Sequence, residues 1–311
     1  MPAHPRHELG GPAGRSGVLV VDKPAGPTSH DIVAVVRRRF RGTKVGHTGT
    51  LDPFATGVLP VVIGRATRLA RHLSGADKEY DALIRLGRAT DTHDATGAVV
   101  FEAPDGFPVP APAAVAAVLD GYRGTWMQTP PAYSAKLADG VRAYEQARRG
   151  RSVELAPVSV TVAELELLSM DGLFVRIRLV SSAGFYVRAL AHDIGLKLGT
   201  GATLDALRRL RSGPFSLGDA VTLDALAQPD IEARVLPLEA LLTDWPSVRL
   251  TPVGAEWASH GRHVGPAQCE SGLTGDVPTG ARIRFLGPDG RLVAVGEAGP
   301  GGVLHPAVVL M

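Results

Sequence analysis

Cysteine, long apolar runs and nucleotide-binding motifs are all scarce in this chain of 311 residues. The single cysteine, Cys269, excludes an internal disulfide and a cysteine-rich zinc site, including that of a zinc nucleobase deaminase. No apolar run approaches membrane-spanning length, and residues 1–16 are rich in proline, glycine and histidine without an apolar signal core. There is no Walker loop and no dinucleotide-binding glycine fingerprint. These absences favour a cytoplasmic enzyme without a nucleotide or redox cofactor.

The bulk composition is that of a globular protein, with 45% hydrophobic and 21% charged residues. The formal net charge is only +2, but the basic residues are clustered. The clusters are residues 37–44, residues 65–71 and residues 136–151. A solvated helix face is the ordinary interpretation of each cluster alone. Because the first two flank one loop, they favour a groove that follows phosphates.

That loop, residues 45–59 (VGHTGTLDPFATGVL), places one acid among glycines and threonines. Asp52 stands directly before Pro53, which removes a backbone donor and biases Asp52 away from helical dihedral angles. The loop also contains Gly46, Gly49 and Gly57. Glycine permits backbone geometries that other residues avoid, so we expect one unusual loop shape that aims the carboxylate. On residue type alone, Asp-Pro as a simple turn start is the competing interpretation.

Four further segments accompany this loop: residues 20–29 (VVDKPAGPTS), 78–80 (KEY), 182–188 (SAGFYVR) and 207–215 (LRRLRSGPF). Together with the loop, whose pattern is G-H-T-G-T-L-D-P-x-A-x-G-V-L-P, they resemble the motifs of the TruB family of pseudouridine synthases and occur in the family's order. The resemblance covers roughly residues 17–223 and extends more loosely to the C-terminus.

The resemblance implies a role for each motif. Asp52 is then the catalytic carboxylate, Arg188 pairs with it and keeps it ionised, and Tyr80 stacks on the flipped uracil and can accept the proton from C5. Substrate binding is implied for Lys23, His47, Lys136, Tyr186 and Leu207. The ordinary alternatives are surface arginine and lysine, buried tyrosine and leucine, and a loop histidine bonded to backbone.

The implied target is uridine at position 55 in the T loop of tRNA, reached by flipping the nucleotide from its stack. Isomerisation to pseudouridine breaks the bond from ribose to N1, turns the base and rejoins it through C5, so nothing enters or leaves. This stoichiometry requires no cofactor, and the ten histidines show no clear metal-ligand spacing. A carboxylate can attack the base, attack the sugar or take a proton for a glycal route, and the sequence leaves all three open.

We expect an α+β architecture with two domains. The resemblance implies a pseudouridine synthase domain with a mixed, mainly antiparallel sheet over residues 17–246, preceded by a flexible tail of residues 1–16. It also implies an RNA-gripping insertion at about residues 125–157 and a PUA-like β-barrel domain over residues 247–311. Local patterns predict helices over residues 29–40, 66–73, 113–121 and 187–198, and strands over residues 18–21, 59–63, 80–87, 158–168 and 174–181. Thr28 and Asp31 predict a capping box before the first helix, and we expect Tyr186 and Arg188 at a strand-to-helix junction.

The expected partner is the T arm of tRNA, bound by a monomer without a guide RNA or a membrane. Two alternatives stay open: a guide-RNA-dependent pseudouridylase with the same catalytic loop, and an RNA-binding or RNA-folding protein with an inactive site. The basic insertion and the absence of long lysine-rich tails favour a stand-alone enzyme. The presence of Asp52, Tyr80 and Arg188 favours catalysis.

Overall fold

The computed structural model describes residues 16–131, 133, 137–138, 141–142, 155–271 and 277–311, with main chain only at 137–138 and 141–142. The helices are α1 (Ser29–Arg39), α2 (Ala70–Ser74), α3 (Pro112–Asp120), α4 (Val187–Leu198) and α5 (Pro252–Ser259). The strands before residue 240 are β1 (Gly17–Lys23), β2 (Val45–His47), β3 (Thr56–Ile63), β4 (Lys78–Leu86), β5 (Arg88–Thr90), β6 (Val99–Glu102), β7 (Gly124–Gln128), β8 (Leu137–Ala138), β9 (Val141–Arg142), β10 (Val158–Asp171), β11 (Phe174–Ser181), β12 (Ala202–Ser212), β13 (Phe215–Ser216) and β14 (Leu236–Pro237). The later strands are β15 (Ser247–Leu250), β16 (Cys269–Ser271), β17 (Arg282–Leu286), β18 (Leu292–Ala298) and β19 (Leu304–Val309).

Ten strands form a central sheet in the spatial order β14-β1-β3-β12-β4-β11-β10-β7, with β2 on β3 and β13 on β12. β12 runs parallel to β3, whereas the other neighbours in this sheet are antiparallel. The prediction of an α+β fold with a mixed, mainly antiparallel sheet is confirmed. Within the described ranges, no helix is long and apolar enough to cross a membrane.

The two faces of this sheet differ in chemistry. Along β4, burial alternates with every residue, as expected for a strand with one covered face. Tyr80 and Ala82 point to the inner face, where they join the main hydrophobic core with residues of α1 and α4. Glu79 and Asp81 point to the outer face, where they pair with arginines of β11 and β12. The inner face therefore carries the core, and this part of the outer face carries exposed charge.

β1 is buried on both faces. Leu19 and Val21 pack into the inner core, whereas Val18 and Val20 pack into a second cluster on the outer face. Because both faces are covered, the strand is a continuous apolar run instead of an alternating one. This strand leads directly into the turn that supports the loop of residues 45–59.

α1 begins with the capping box that the sequence predicts. The Thr28 hydroxyl accepts from the Asp31 amide at 3.1 Å, and the Asp31 carboxylate accepts from the Thr28 amide at 2.8 Å. Ile32 and Val36 are buried against the sheet, so one face of the helix anchors it. The cap determines where the helix starts. This position matters because Ser29, in the first turn of the helix, contacts the loop that contains Asp52.

The C-terminal residues form a separate five-stranded sheet in the order β16-β15-β17-β18-β19, with its own core against α5. Leu292, Val295 and Leu310 nevertheless belong to the same hydrophobic cluster as the outer side of β1. Arg65 and Arg68 donate to the carbonyls of Leu310 and Val309 at 3.2 and 2.6 Å. The C-terminal sheet is thus packed onto the central sheet. Removal of the C-terminal sheet would expose apolar side chains of the core.

Two local predictions were wrong in detail. The segment predicted as a helix over residues 66–73 begins as a 3₁₀ helix (Gly64–Leu69), and only Ala70–Ser74 is α-helical. The predicted insertion starts too early, because residues 125–128 belong to β7 and pair with β10 in the central sheet. Most of the remaining insertion lies outside the described residues.

Candidate active site

Asp52 lies in the loop that connects β2 to β3. Ser29 fixes this loop from α1: its hydroxyl accepts from the Leu51 amide at 2.9 Å and donates to the Leu51 carbonyl at 3.1 Å. On the other side of Asp52, the Gly26 amide donates to the Pro53 carbonyl at 2.8 Å. The residues before and after the carboxylate are therefore both held by the motif around residues 20–29.

Only one of the three loop glycines has a backbone conformation that residues with a side chain rarely adopt. Gly57 has a φ of 103°, whereas Gly46 and Gly49 have no positive φ. A Cβ atom at Gly57 would also lie 2.2 Å from the carbonyl oxygen of Arg209. The expectation of special geometry was wrong for Gly46 and Gly49, and Gly57 is needed because β12 passes so close.

Arg188, the second residue of α4, binds the Asp52 carboxylate with two nitrogens. Nε lies 2.9 Å from Oδ2, and Nη2 lies 3.4 Å from Oδ1. The Arg188 side chain is 6% exposed, whereas that of Asp52 is 36% exposed. In this pair the arginine is therefore buried, whereas the carboxylate is partly exposed.

A second carboxylate, which the sequence analysis missed, approaches the same arginine. Asp94 Oδ2 lies 3.5 Å from Arg188 Nη1, which also donates to the Thr92 carbonyl at 2.9 Å. The other oxygen of Asp94 accepts from the hydroxyl of Thr92 at 3.0 Å and the amide of Thr96 at 3.0 Å. The segment TDTHDATG, residues 90–97, contains a sequence signal for this turn, because acids among threonines form such side-chain-to-backbone hydrogen bonds. Arg188 thus lies between two carboxylates, and Asp94 is 6% exposed.

Burial raises the pKa of Asp52 above its usual range, and the negative charge of Asp94 adds to this rise. Arg188 and Lys23 oppose it, as positive charges near a carboxylate should, but they do not cancel it. The ion pair alone therefore does not keep the Asp52 pKa low. A carboxylate with a raised pKa is a stronger base than an exposed aspartate, which suits attack or proton transfer.

Tyr80 and Leu207 lie together on the inner face of the sheet. Tyr80 on β4 is the Cα partner of Arg209 on β12, and Leu207 is the partner of Ala82. Tyr80 and Leu207 are each 8% exposed and belong to the main core. The Tyr80 side chain lies close to the Arg209 guanidinium. Both predicted substrate-facing residues are thus on the same side of the sheet as α4, which carries Arg188.

Lys23 is fully buried beneath the catalytic loop. Its ammonium donates to the carbonyls of Pro24, Pro53 and Ala55 at 2.8, 3.1 and 2.7 Å, which uses all three donors. Burial lowers its pKa to about 8, against the opposing charge of Asp52. Lys23 thus supports the loop with all three donors. The substrate-binding role that the resemblance implies for it stays a prediction.

His47 lies at the end of β2. Its Nδ1 accepts from the Gly49 amide at 3.3 Å, and its ring meets that of His30 edge-on at 5.4 Å. Burial lowers the pKa of His47, and the charges of His30 and Arg209 lower it further. The imidazole is therefore neutral near pH 7, with its proton on Nε2, as an acceptor at Nδ1 requires.

Tyr186 is the N-cap of α4, so the prediction of a strand-to-helix junction at Tyr186 and Arg188 is confirmed. The amide side chain of Gln128, fully buried at the end of β7, bonds both main-chain groups of Tyr186, at 2.9 Å to its N and 3.0 Å to its O. Sequence reasoning missed Gln128, because a lone glutamine carries no pattern. Lys136 lies outside the described residues. Within the described ranges, no three His, Cys, Asp or Glu side chains form a metal site.

The basic clusters that flank the loop make contacts within the protein. Besides Arg65 and Arg68, Arg37 donates to the Val45 carbonyl at 3.4 Å, and Arg39 pairs with Glu232 at 3.1 Å. These contacts tie α1 and its neighbours to the rest of the fold. The phosphate-binding groove stays a prediction.

Two family models match the part of the chain that forms this site. A model described as TruB family pseudouridylate synthase (N terminal domain) matches residues 37–187, which include Asp52, Tyr80 and Asp94. A second, described as tRNA pseudouridylate synthase B C-terminal domain, matches residues 188–243. The chain belongs to the TruB family of pseudouridylate synthases. The second match covers most of α4 and all of β12, β13 and β14, and it ends before β15.

Curated relatives and solved structures agree with this assignment. The tRNA pseudouridine synthase B of Solibacter usitatus is 42% identical over 299 residues, which cover 94% of this chain and 99% of that protein. Its counterpart in Thermobifida fusca is 44% identical over 302 residues, covering 94% and 98%. A solved structure described as the archaeal box H/ACA sRNP Nop10-Cbf5 complex has a TM-score of 0.73 and 28% identity, over 96% of this chain and 87% of that chain. The prediction of the pseudouridine synthase fold is confirmed.

Proposed function

We propose that this protein isomerises uridine at position 55 in the T loop of tRNA to pseudouridine, with Asp52 as the catalytic carboxylate. One observation carries the proposal: a carboxylate that is 36% exposed to the cleft is bound from behind by an arginine that is 6% exposed. The names of the curated relatives support tRNA as the substrate. The T-loop position rests on the match to the signature loop, residues 46–60.

The groups in the site suit the chemistry of the isomerisation. Asp52 supplies the nucleophile or base that the bond from ribose to N1 requires, and Arg188 stabilises its charge and fixes its orientation. Tyr80 lies on the same face and would stack on the extruded uracil, since aromatic rings bind flipped bases by stacking. The product has the same atoms as the substrate, so these residues suffice without an added reactant.

The remaining predicted contacts divide by position. His47 has its Nε2–H available to occupy the space of the flipped base, and Tyr186 and Leu207 lie at the start of α4 and on the inner face. We assign RNA grip to the basic insertion, including Lys136, and we place the enzyme in the cytoplasm. A PUA-like role for residues 247–311 stays a prediction beside the observed five-stranded sheet.

The test is an assay of the purified protein with an unmodified tRNA transcript and no other RNA, scored for pseudouridine. A transcript with cytidine at position 55 is the matched substrate control. Product only on the first transcript supports a stand-alone enzyme of the proposed specificity. Binding without product contradicts it and favours a missing guide complex, as in the box H/ACA assembly, or an RNA-folding role.

A further inference from the structure

Arg209 is a buried cation without an ion-pair partner among the described residues. It lies on β12, is 1% exposed, and faces the inner side of the sheet next to Tyr80. Its neighbours Arg208 and Arg211 face the outer side, where they pair with Asp22 and Glu79. Burial lowers the pKa of Arg209, which shows that the site opposes its charge instead of neutralising it.

The guanidinium of Arg209 donates hydrogen bonds to main-chain carbonyls on both sides of Asp52. Nη2 donates to the Gly49 carbonyl at 3.1 Å, Nη1 to that of Thr50 at 3.4 Å, and Nε to that of Val58 at 2.7 Å. Gly49 and Thr50 precede Asp52, and Val58 follows it on β3. One planar group therefore connects both ends of the loop.

Tyr80 is the Cα partner of Arg209 on the neighbouring strand, and its side chain lies close to the guanidinium on the same face of the sheet. We propose that Arg209 is a positioning residue of the isomerase site, which holds the carboxylate of Asp52 and the ring of Tyr80 in one fixed relation. The proposal rests on the proposed function, because it concerns the geometry of that reaction. Arg209 acts through the loop and the tyrosine and need not touch the substrate.

A purely structural role would not require this residue type. A buried cation bound only by neutral groups costs desolvation energy, and an apolar side chain of similar volume is often as stable or more so. The guanidinium, however, donates to three carbonyls at once, which no apolar residue reproduces. Misplacement of a catalytic group by about 1 Å costs about a hundredfold in rate. The benefit of Arg209 should therefore appear in the chemical step.

The experiment compares Arg209→Met, Arg209→Lys and the matched control Arg284→Met. Arg284 is 8% exposed and donates to the Glu239 carbonyl, so it is a buried arginine bound to main chain in the C-terminal sheet, away from the loop. For each variant we would measure the single-turnover rate at saturating tRNA, the tRNA Kd and the Tm. Met fills much of the arginine volume without its donors.

We expect the rate of Arg209→Met to fall about a hundredfold, with Kd changed by less than about threefold. Arg209→Lys should recover part of the loss, because an ammonium donates but lacks the fork. Arg284→Met should lower Tm and leave the rate unchanged. A wild-type rate for folded Arg209→Met, or a rate loss that Arg284→Met reproduces at equal Tm, would overturn the proposal.

If Arg209→Met does not fold, Arg209→Lys decides: an unchanged rate in that variant overturns the positioning role. A reduced rate with unchanged Kd supports it. Failure of the wild-type protein to make pseudouridine in the same assay would instead refute the proposed function, and the positioning role with it.

Discussion

The two faces of the central sheet carry the same chemical pair in opposite surroundings. On the outer face, Arg176 binds Asp81 at 2.6 Å, and their side chains are 55% and 21% exposed. On the inner side, Arg188 binds Asp52 at 2.9 Å and is only 6% exposed. Exposed pairs contribute about 0 to 1 kcal/mol, whereas removal of one partner from a buried pair leaves a stranded charge that costs roughly 3 to 5 kcal/mol.

The comparison predicts that the surroundings of such a pair, and not the pair itself, determine whether it contributes to activity. The outer arginines solubilise a sheet face and are neutralised by acids that water also screens. Burial and the negative charge of Asp94 raise the pKa of Asp52, and the opposing charge of the inner arginine does not cancel this rise. We expect this difference in surroundings to govern activity.

The largest effect is expected for Asp52→Asn, which keeps the size of the side chain and removes its charge. Asp52 is the nucleophile or base of the proposed mechanism, so its loss should lower the rate by at least about a thousandfold. tRNA binding, measured by filter retention, should survive. Activity within about tenfold of wild type would remove Asp52 from the mechanism.

Arg188→Ala comes next, because it leaves Asp52 and Asp94 without the cation between them. The rate should fall about a hundredfold or more, because Asp52 loses the contact that orients it. Arg188 lowers the pKa of Asp52, so its removal raises that pKa further, and the acid limb of the pH–rate profile should move to higher pH. An acid limb at the wild-type position would contradict the electrostatic role.

Asp94→Asn should act in the opposite direction on pH. The Asp94 charge raises the pKa of Asp52, so its removal should move the acid limb to lower pH. The rate should fall by about ten- to a hundredfold, since Arg188 also loses a contact that orients it. A pH–rate series on the wild type and both variants tests the two signs together; shifts in the same direction would refute the network.

A smaller effect concerns RNA grip. Residues 136–151 carry five basic against two acidic residues, whereas residues 247–311 carry five of each. Each lost phosphate contact should lower the slope of log affinity against log salt by about one unit. The variants to compare are Arg148→Gln, Arg149→Gln and Arg151→Gln together, against Arg249→Gln, Arg262→Gln and Arg291→Gln together.

The first triple variant should flatten the salt dependence and the second should leave it unchanged. Substitution is preferable to deletion of residues 247–311, because Leu292, Val295 and Leu310 share a hydrophobic cluster with β1. A flattened slope only for the C-terminal triple variant would make that sheet the main electrostatic anchor.

Local signals in the sequence predicted much of this structure. The capping box at Thr28 and Asp31, the helical stripe of α4 and the hairpin of β10 and β11 all depend on neighbouring residues, and all are observed. The meeting of Asp52 with Arg188 came from motif resemblance, because 136 residues separate them along the chain. No periodicity predicts such a contact.

Three features escaped the sequence for physical reasons. β12 has register shifts between Leu204 and Ala206 and between Arg209 and Arg211, so simple alternation does not tell which of its arginines faces inward. Lys23 looked like a cleft residue, but its burial depends on carbonyls brought there by a distant loop. The cover on the outer side of β1 comes from strands near the C-terminus, which local patterns do not place.

The most direct test of the central claim is to make the same substitution on both faces: Arg188→Lys and Arg176→Lys, measured side by side as single-turnover rates at saturating tRNA. An ammonium replaces an exposed guanidinium with little loss but cannot reproduce the two-nitrogen contact to Asp52 or the bonds to Thr92. The account predicts a rate loss of about a hundredfold or more for Arg188→Lys and none for Arg176→Lys. Equal rates for the two variants would contradict it.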